Sequence, residues 1–453
     1  MENINKNTDI IKKKEIKLFF KFSIPNILSL VIMSSAGIFD AAFIGRYVGE
    51  NSLAGVNIAN PVFSIIWGLT MMIITGSAVT VGNYLGQKNI NKANIVFTKS
   101  ILAVVLVSAI IIILIYLFKN PIIYLIGGSP ITAPIAVTYL SYILPFLFFI
   151  TVGYALSVFA RVDNFPFLSS LSLIIGAVAN VILDAIFIII FNWGVIGAAI
   201  ATGISYFISF VILLVHFGLK RGVLRLNFSK SSWSEIFRAS YNGLSEFVNE
   251  SSVGFIIILF NVLMMKYAQE SGVAAFTAIN YVMWVGIMVA YAVADALNPL
   301  ISINYGANEI KRIKKFLKIG IIFVTTNGFL VFLTLSFFPE FLTSLFINNT
   351  ESKAYPIAIE FMGFIKWVFL INGSNMILSA YFTATLRPVE SAIIATLRSL
   401  IMPSILLFTL PKFLETLGVY IAVPLGEVIT IIVALLLFFL TKRKLLDSKM
   451  QPS

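Results

Sequence analysis

Few side chains in this sequence could do polar chemistry, and their scarcity makes them legible. Among 453 residues there is no Cys and a single His, His216, which excludes thiol chemistry, thiolate metal sites and histidine relays. What remains are carboxylates, amides and a few cations set in long apolar runs. Asp40, Asn180, Asp184 and Thr202 lie in the first half of the chain, and Glu246, Glu250, Asp295, Lys366, Arg398 and Glu427 in the second. A charge at mid-bilayer costs about 2.5–3.5 kcal/mol even on insertion scales, so each one calls for a partner or a purpose. Asn180 and Asp184 are one helical turn apart and share a face. Together with Asp40 and Thr202 they supply two carboxylates, an amide oxygen and a hydroxyl, a set suited to a proton or a hard cation. Lys366 and Glu427 read as a structural ion pair, whereas Glu246, Glu250, Asp295 and Arg398 are open to a structural, substrate or coupling role. Tyr139, Tyr142, Tyr281 and Trp284 could stack on a flat organic cation. His216 reads as an interfacial residue that snorkels at a span end.

The elements that must position these residues are helices in lipid. Apolar residues make up 59% of the chain and charged residues 11%, with a mean hydropathy of +0.97. A soluble surface takes about 25% charged residues, so the solvent here is a bilayer. Stretches long enough to cross it recur at 18–45, 52–76, 96–118, 134–160, 167–191, 194–218, 242–266, 273–301, 316–338, 356–385, 389–411 and 417–441, twelve spans in all. At 1.5 Å per residue, Asp40, Asp184 and Thr202 then fall at one depth, roughly 8–12 Å below a membrane surface. The long polar stretch from Leu219 to Tyr241 divides the chain near its middle. The expected organisation is a tail (1–17), an N-lobe (18–219), a linker (220–241), a C-lobe (242–441) and a second tail (442–453).

Basic residues orient the chain. Most of the 32 Lys and Arg residues fall in the tails and even-numbered loops, among them Lys12, Lys14, Lys88, Lys220, Arg221, Lys311, Arg312 and Lys442. Cytoplasmic loops collect positive charge, so both termini are expected in the cytoplasm, and the net charge of +12 reports orientation and not nucleic-acid binding. The N-terminus is polar and lysine-dotted, with no short apolar core before a cleavage site, and reads as a retained tail.

The chain also repeats itself. Asn83-Tyr84 recurs as Asn304-Tyr305, Ser157 to Pro166 as Ser379 to Pro388, and Gly194-Val195 as Gly418-Val419. An even number of spans per half returns both halves to the same side, so the repeats are parallel. Transporters so built hold their substrate between the halves and rock one against the other.

Several runs carry a resemblance. Ile24-Pro25-Asn26 through Gly37-Ile38-Phe39-Asp40 to Ile44-Gly45 is similar to the opening of the multidrug and toxic compound extrusion (MATE) transporters. Gly82-Asn83-Tyr84-Leu85-Gly86, Asn180-Val181-Ile182-Leu183-Asp184 and Gly194 to Thr202 are similar to that family as well. In the second half, Gly243-Leu244-Ser245-Glu246-Phe247 and Asn298-Pro299-Leu300 to Gly306 resemble its MepA-like bacterial branch. The resemblance implies an all-α membrane protein of twelve transmembrane helices, in two parallel six-helix repeats around a central cavity. It also implies a multi-pass protein of the bacterial inner membrane that exports small amphipathic, often cationic, compounds by proton or sodium antiport. Asp40, Asn180, Asp184 and Thr202 match the family's N-lobe cation or proton site. Some members carry an acidic pair on helices 7 and 10, but here helix 10 offers Asn372 and Asn375 instead, which puts a C-lobe sodium site in doubt. The expected partners are membrane lipid and a small organic substrate, with no nucleic acid, no cofactor beyond H+ or Na+, and a monomeric chain.

Two other functions fit the residues less well. A flippase for a lipid-linked sugar needs a strongly cationic cavity, and Lys366 and Arg398 are the only basic residues deep within the spans. A membrane-embedded transferase needs clustered catalytic residues at a membrane surface, and neither a Cys nor a second His is present to build them.

Overall fold

The computed structural model describes residues 10–229, 232–347 and 352–450, with side chains described up to Thr441. The first nine residues of the expected N-terminal tail and residues 230–231 of the expected linker lie outside the described residues.

Among the described residues every regular element is a helix. This is what lipid demands, because a backbone N–H or C=O with no water to meet it must bond within its own segment. The first six spans are α1 (Glu15–Val48), α2 (Glu50–Gly86), α3 (Ile90–Leu125), α4 (Thr132–Val162), α5 (Pro166–Ile190) and α6 (Gly194–Gly218). The next element, Leu244–Gly306, is 63 residues long, about 95 Å if straight, and breaks at Gln269 (φ 55, ψ −155). Its two arms are α7 (244–268) and α8 (270–306). After them come α9 (Ile310–Phe337), α10 (Ala354–Ala384), α11 (Pro388–Thr409) and α12 (Pro411–Thr441), the last with its own break at Glu415. Counting the two arms separately gives the twelve crossings expected from the apolar runs.

Helices outlast the apolar stretches that announce them. α2 runs to Gly86, where hydropathy alone placed the end at 76. α3 starts at Ile90 and not 96, because the Asn89 side chain caps it by accepting from the Lys92 amide at 3.2 Å.

The chain divides into two compact units. The first takes the chain through Ser251 together with Pro299–Ile313; the second takes Ser252–Asn298 and the chain from Lys314 onward. In the first unit α2 and α4 form the centre, with 61% and 72% of their most apolar windows buried. α3 has the most apolar window of all, yet only 17% of it is buried. In a water-soluble protein the order would be reversed; here the exposed apolar face meets lipid. α1 packs along α5, and α5 along α6. The second contact is close because Gly176 on α5 has no side chain: a Cβ there would lie 2.2 Å from the Ser209 hydroxyl on α6.

The linker is strapped to the first unit by side-chain acceptors. Asp163 Oδ1 accepts from the Val223 and Leu224 amides at 2.8 and 3.2 Å, and Thr98 accepts from the Asn227 amide at 2.7 Å. His216, expected at the membrane interface, is instead buried, with Nε2 3.9 Å from Asp163 Oδ2 and its ring edge-on to Phe165. The second unit is centred on stacked rings, Phe260 against Phe276 and Phe361 against Tyr420.

Candidate functional site

The first unit gathers four of the sequence-chosen residues at one site, three of them on the wall of a cavity. Asp40 comes from α1, Asn180 and Asp184 from α5, and Thr202 from α6. The cavity has a volume of about 120 Å³, and Asp40, Asn180 and Thr202 line it beside Met33, Gly176 and Tyr206. Asn180 Nδ2 approaches Thr202 Oγ1 at 3.4 Å, which joins α5 to α6. Asp184 lies within electrostatic reach of Asp40.

The polar bookkeeping of this site is unusual. Asp184 is fully buried, and neither carboxylate oxygen has a hydrogen-bond partner among the described residues. Asp40 Oδ1 is also buried without a partner. A buried carboxylate with no donor and no counter-charge costs several kcal/mol, so two of them side by side call for a positive occupant. The oxygen-rich surroundings suit a proton or a hard monovalent cation.

The backbone changes character at both aspartates. After Asp40 the helix widens into a π turn at Ile44–Val48, and after Asp184 into another at Ala185–Ile190. Each π turn inserts a residue into the ladder and is a recurring mark of functional sites. Hydropathy does not register such turns, so they were invisible in the sequence.

Tyr139, a candidate for stacking on substrate, has a different place. It is buried beside Thr202 and close enough to feel both Asp40 and Asp184. It is a wall of the acidic site and not a free aromatic face. Tyr206, also lining the cavity, was missed because a tyrosine in an apolar helix is no signal by itself. Of the other aromatic candidates, Tyr142 and Trp284 are exposed and Tyr281 stacks on Phe346 at 5.7 Å.

In the second unit the expected Lys366–Glu427 pair is not formed. Glu427 Oε1 accepts from Asn372 Nδ2 at 2.7 Å and from Arg398 Nε at 3.2 Å, while Oε2 accepts from Asn375 Nδ2 at 2.7 Å. Lys366 instead lies over the Phe332 ring at 5.4 Å. Matched depth was the right criterion but an incomplete one, because direction around the helix also decides pairing. Lys366 opens a 3₁₀ turn, Lys366–Leu370, which rotates it away from the face that carries Asn372 and Asn375. The four residues Glu246, Glu250, Asp295 and Arg398 divide between the two units. Glu246 and Glu250 belong to the first unit, Asp295 and Arg398 to the second, and Arg398 is committed to Glu427.

Comparison with known proteins gives the same picture from outside. The MatE family model matches residues 25–186 and again 246–408, which also marks the internal repeat. The multidrug export protein MepA of Staphylococcus aureus strain MSSA476 is 24% identical over 444 residues, covering 96% of each chain. MepA of Staphylococcus saprophyticus is 22% identical over 443 residues, covering 97% of this chain and 96% of its own. Among solved structures, an outward-facing multidrug resistance MATE family transporter of the MOP superfamily superposes with a TM-score of 0.90. Its identity is 21%, and 97% of this chain and 98% of that one are covered. A variant of the Vibrio cholerae MATE transporter VcmN superposes with a TM-score of 0.89 at 20% identity, with the same coverage. At these identities the structures speak for the fold.

Proposed function

The chain belongs to the MatE family, and from that membership and the acidic site of its first unit we propose that it exports small amphipathic, cationic organic compounds by antiport with protons or sodium. It is a multi-pass membrane transporter and not an enzyme. The observation that carries the coupling reading is the pair Asp40–Asp184: both oxygens of Asp184 and Oδ1 of Asp40 are buried without a hydrogen-bond partner, and Asp40 lines a cavity with Asn180 and Thr202.

The mechanism follows from charge. Empty, the site holds two carboxylates that repel each other and α1 from α5. Occupied by a proton or Na+, it carries one negative charge instead of two, the repulsion falls and the two helices can settle together. The ion therefore favours one arrangement of the α1–α5–α6 group over another, and by linkage it changes the affinity for substrate. An ion that flows inward down its gradient drives the cycle in one direction. The multidrug export for which the MepA relatives are named supports the choice of substrate class. The basic loops support a placement in the bacterial inner membrane with both termini in the cytoplasm.

The test is dye efflux from proteoliposomes with a proton or a sodium gradient imposed one at a time. One gradient should drive ethidium out against its own concentration and the other should not. If neither does, ion coupling is refuted.

A further inference from the structure

Outside the acidic site, the most heavily constructed polar feature is the cluster around Glu427 in the second unit. Its carboxylate is buried, with 5% of the side chain exposed, and takes donors from three side chains. Two of these donors are neutral amides, which already solvate the carboxylate. The third is Arg398, held only through Nε. A guanidinium has five N–H donors in a rigid fork, so Nη1 and Nη2 keep four of them. Among the described residues these nitrogens make no other hydrogen bond, and they are not sealed in: 15% of the Arg398 side chain is exposed, and neither atom is among the buried unsatisfied ones. Arg398 stands in the middle of α11, on the π turn Leu397–Ile401 that widens the helix there. Charged donors at that depth are not left to hydrocarbon; they face a water-lined space and mark substrate paths.

We propose that Arg398 is an oxyanion-binding group of the second unit, taking a carboxylate, sulfonate or phosphate carried on an amphipathic organic solute. This rests on the reading of the chain as an exporter of organic solutes and extends its substrates beyond cations. Glu427, Asn372 and Asn375 are the positioning residues: they pin the Nε edge, so that Nη1 and Nη2 present the parallel pair of donors that matches an oxyanion. The pinned edge also explains why arginine stands there, since a lysine placing its ammonium on Glu427 could not hold out a second, planar and parallel pair of donors. The same chemistry could come from a free solute or from the phosphate of an anionic lipid, and the experiment separates the two.

The measurement is equilibrium binding by fluorescence anisotropy, with full-length protein in phosphatidylcholine nanodiscs and empty discs subtracted. Fluorescein serves as the flat anionic probe and ethidium as the flat cationic one. No gradient is present, so failure of ion coupling at Asp40 and Asp184 would not disturb the readout. The parent should bind fluorescein, and the E427Q/R398M double variant, which removes both charges together, should lose at least about tenfold in affinity for it. R398K, which keeps the charge and the contact with Glu427 but not the fork, should lose nearly as much and carries the test should the double variant fail to insert. Ethidium affinity should hold within about twofold throughout, the scale of an uninvolved site. Adding phosphatidylglycerol to the discs should leave fluorescein binding in place; if it abolishes binding, the occupant is a lipid headgroup and the solute assignment is overturned. A parent that does not bind fluorescein, or an R398K variant that binds it as the parent does, overturns the oxyanion site.

Discussion

Asp184 and Glu427 are both carboxylates sealed inside helical units, at 0% and 4% exposure, yet their surroundings are opposite. Asp184 faces another carboxylate and has no donor on either oxygen. Glu427 receives two amides and a guanidinium, so its charge is solvated by protein. Burial is common to the two; the partner set separates them. A carboxylate whose donors are built in has no need of a transient ion, whereas one whose donors are missing must acquire a positive occupant and lose it again. On the proposed reading the first unit responds to an ion gradient through Asp40 and Asp184, while in the second unit Arg398 is held by its Nε on Glu427.

The comparison can be broken at either end. The largest effect is expected from Asp184→Asn, which should reduce gradient-driven efflux at least tenfold, equivalent to about 1.4 kcal/mol or more in coupling. The same change should leave thermal stability level or higher, because it removes an uncompensated charge. In the second unit the order reverses. Arg398→Met leaves Glu427 without its counter-charge and should destabilise by about 3–5 kcal/mol, most of it recovered when Glu427→Gln is added. Thermal unfolding in detergent, followed by size-exclusion fluorescence, reads both; a stable Arg398→Met variant would remove the contrast.

Smaller changes sharpen the first site. Gly176→Ala inserts a Cβ 2.2 Å from the Ser209 hydroxyl and should cost about 1–3 kcal/mol by forcing α5 from α6. Tyr139→Phe removes the phenol hydroxyl beside Thr202, Asp40 and Asp184 and should shift the ion concentration for half-maximal efflux severalfold with little change in stability. Thermal unfolding checks the first and efflux titrated against the coupling ion the second, and an unchanged midpoint in Tyr139→Phe would place that ring outside the site.

Much of this arrangement was legible in the sequence. Apolar run length located the spans, since a bilayer sets one minimum length for every helix. Asp40, Asn180, Asp184 and Thr202 were legible because polar groups are costly in hydrocarbon and these four fall at one depth. Depth alone did not find partners. Lys366 and Glu427 share a depth but not a direction, and the 3₁₀ turn at Lys366–Leu370 that separates them leaves no compositional trace. Asn372 and Asn375, three residues apart on one face, were noted only for not being acidic, although that spacing is what lets both amides reach one carboxylate. His216 was misplaced for a related reason: its position at a span end suggested water, but the linker folds back over that end and buries it.

The central claim is that the ion which drives transport binds between Asp40 and Asp184. The most direct test is ethidium accumulation in inside-out proteoliposomes under the driving gradient, for the parent and for the Asp40→Asn/Asp184→Asn double variant. The parent should concentrate the dye above its external level, whereas the double variant should only exchange it to equality. A double variant that concentrates ethidium at the parental rate would contradict the account.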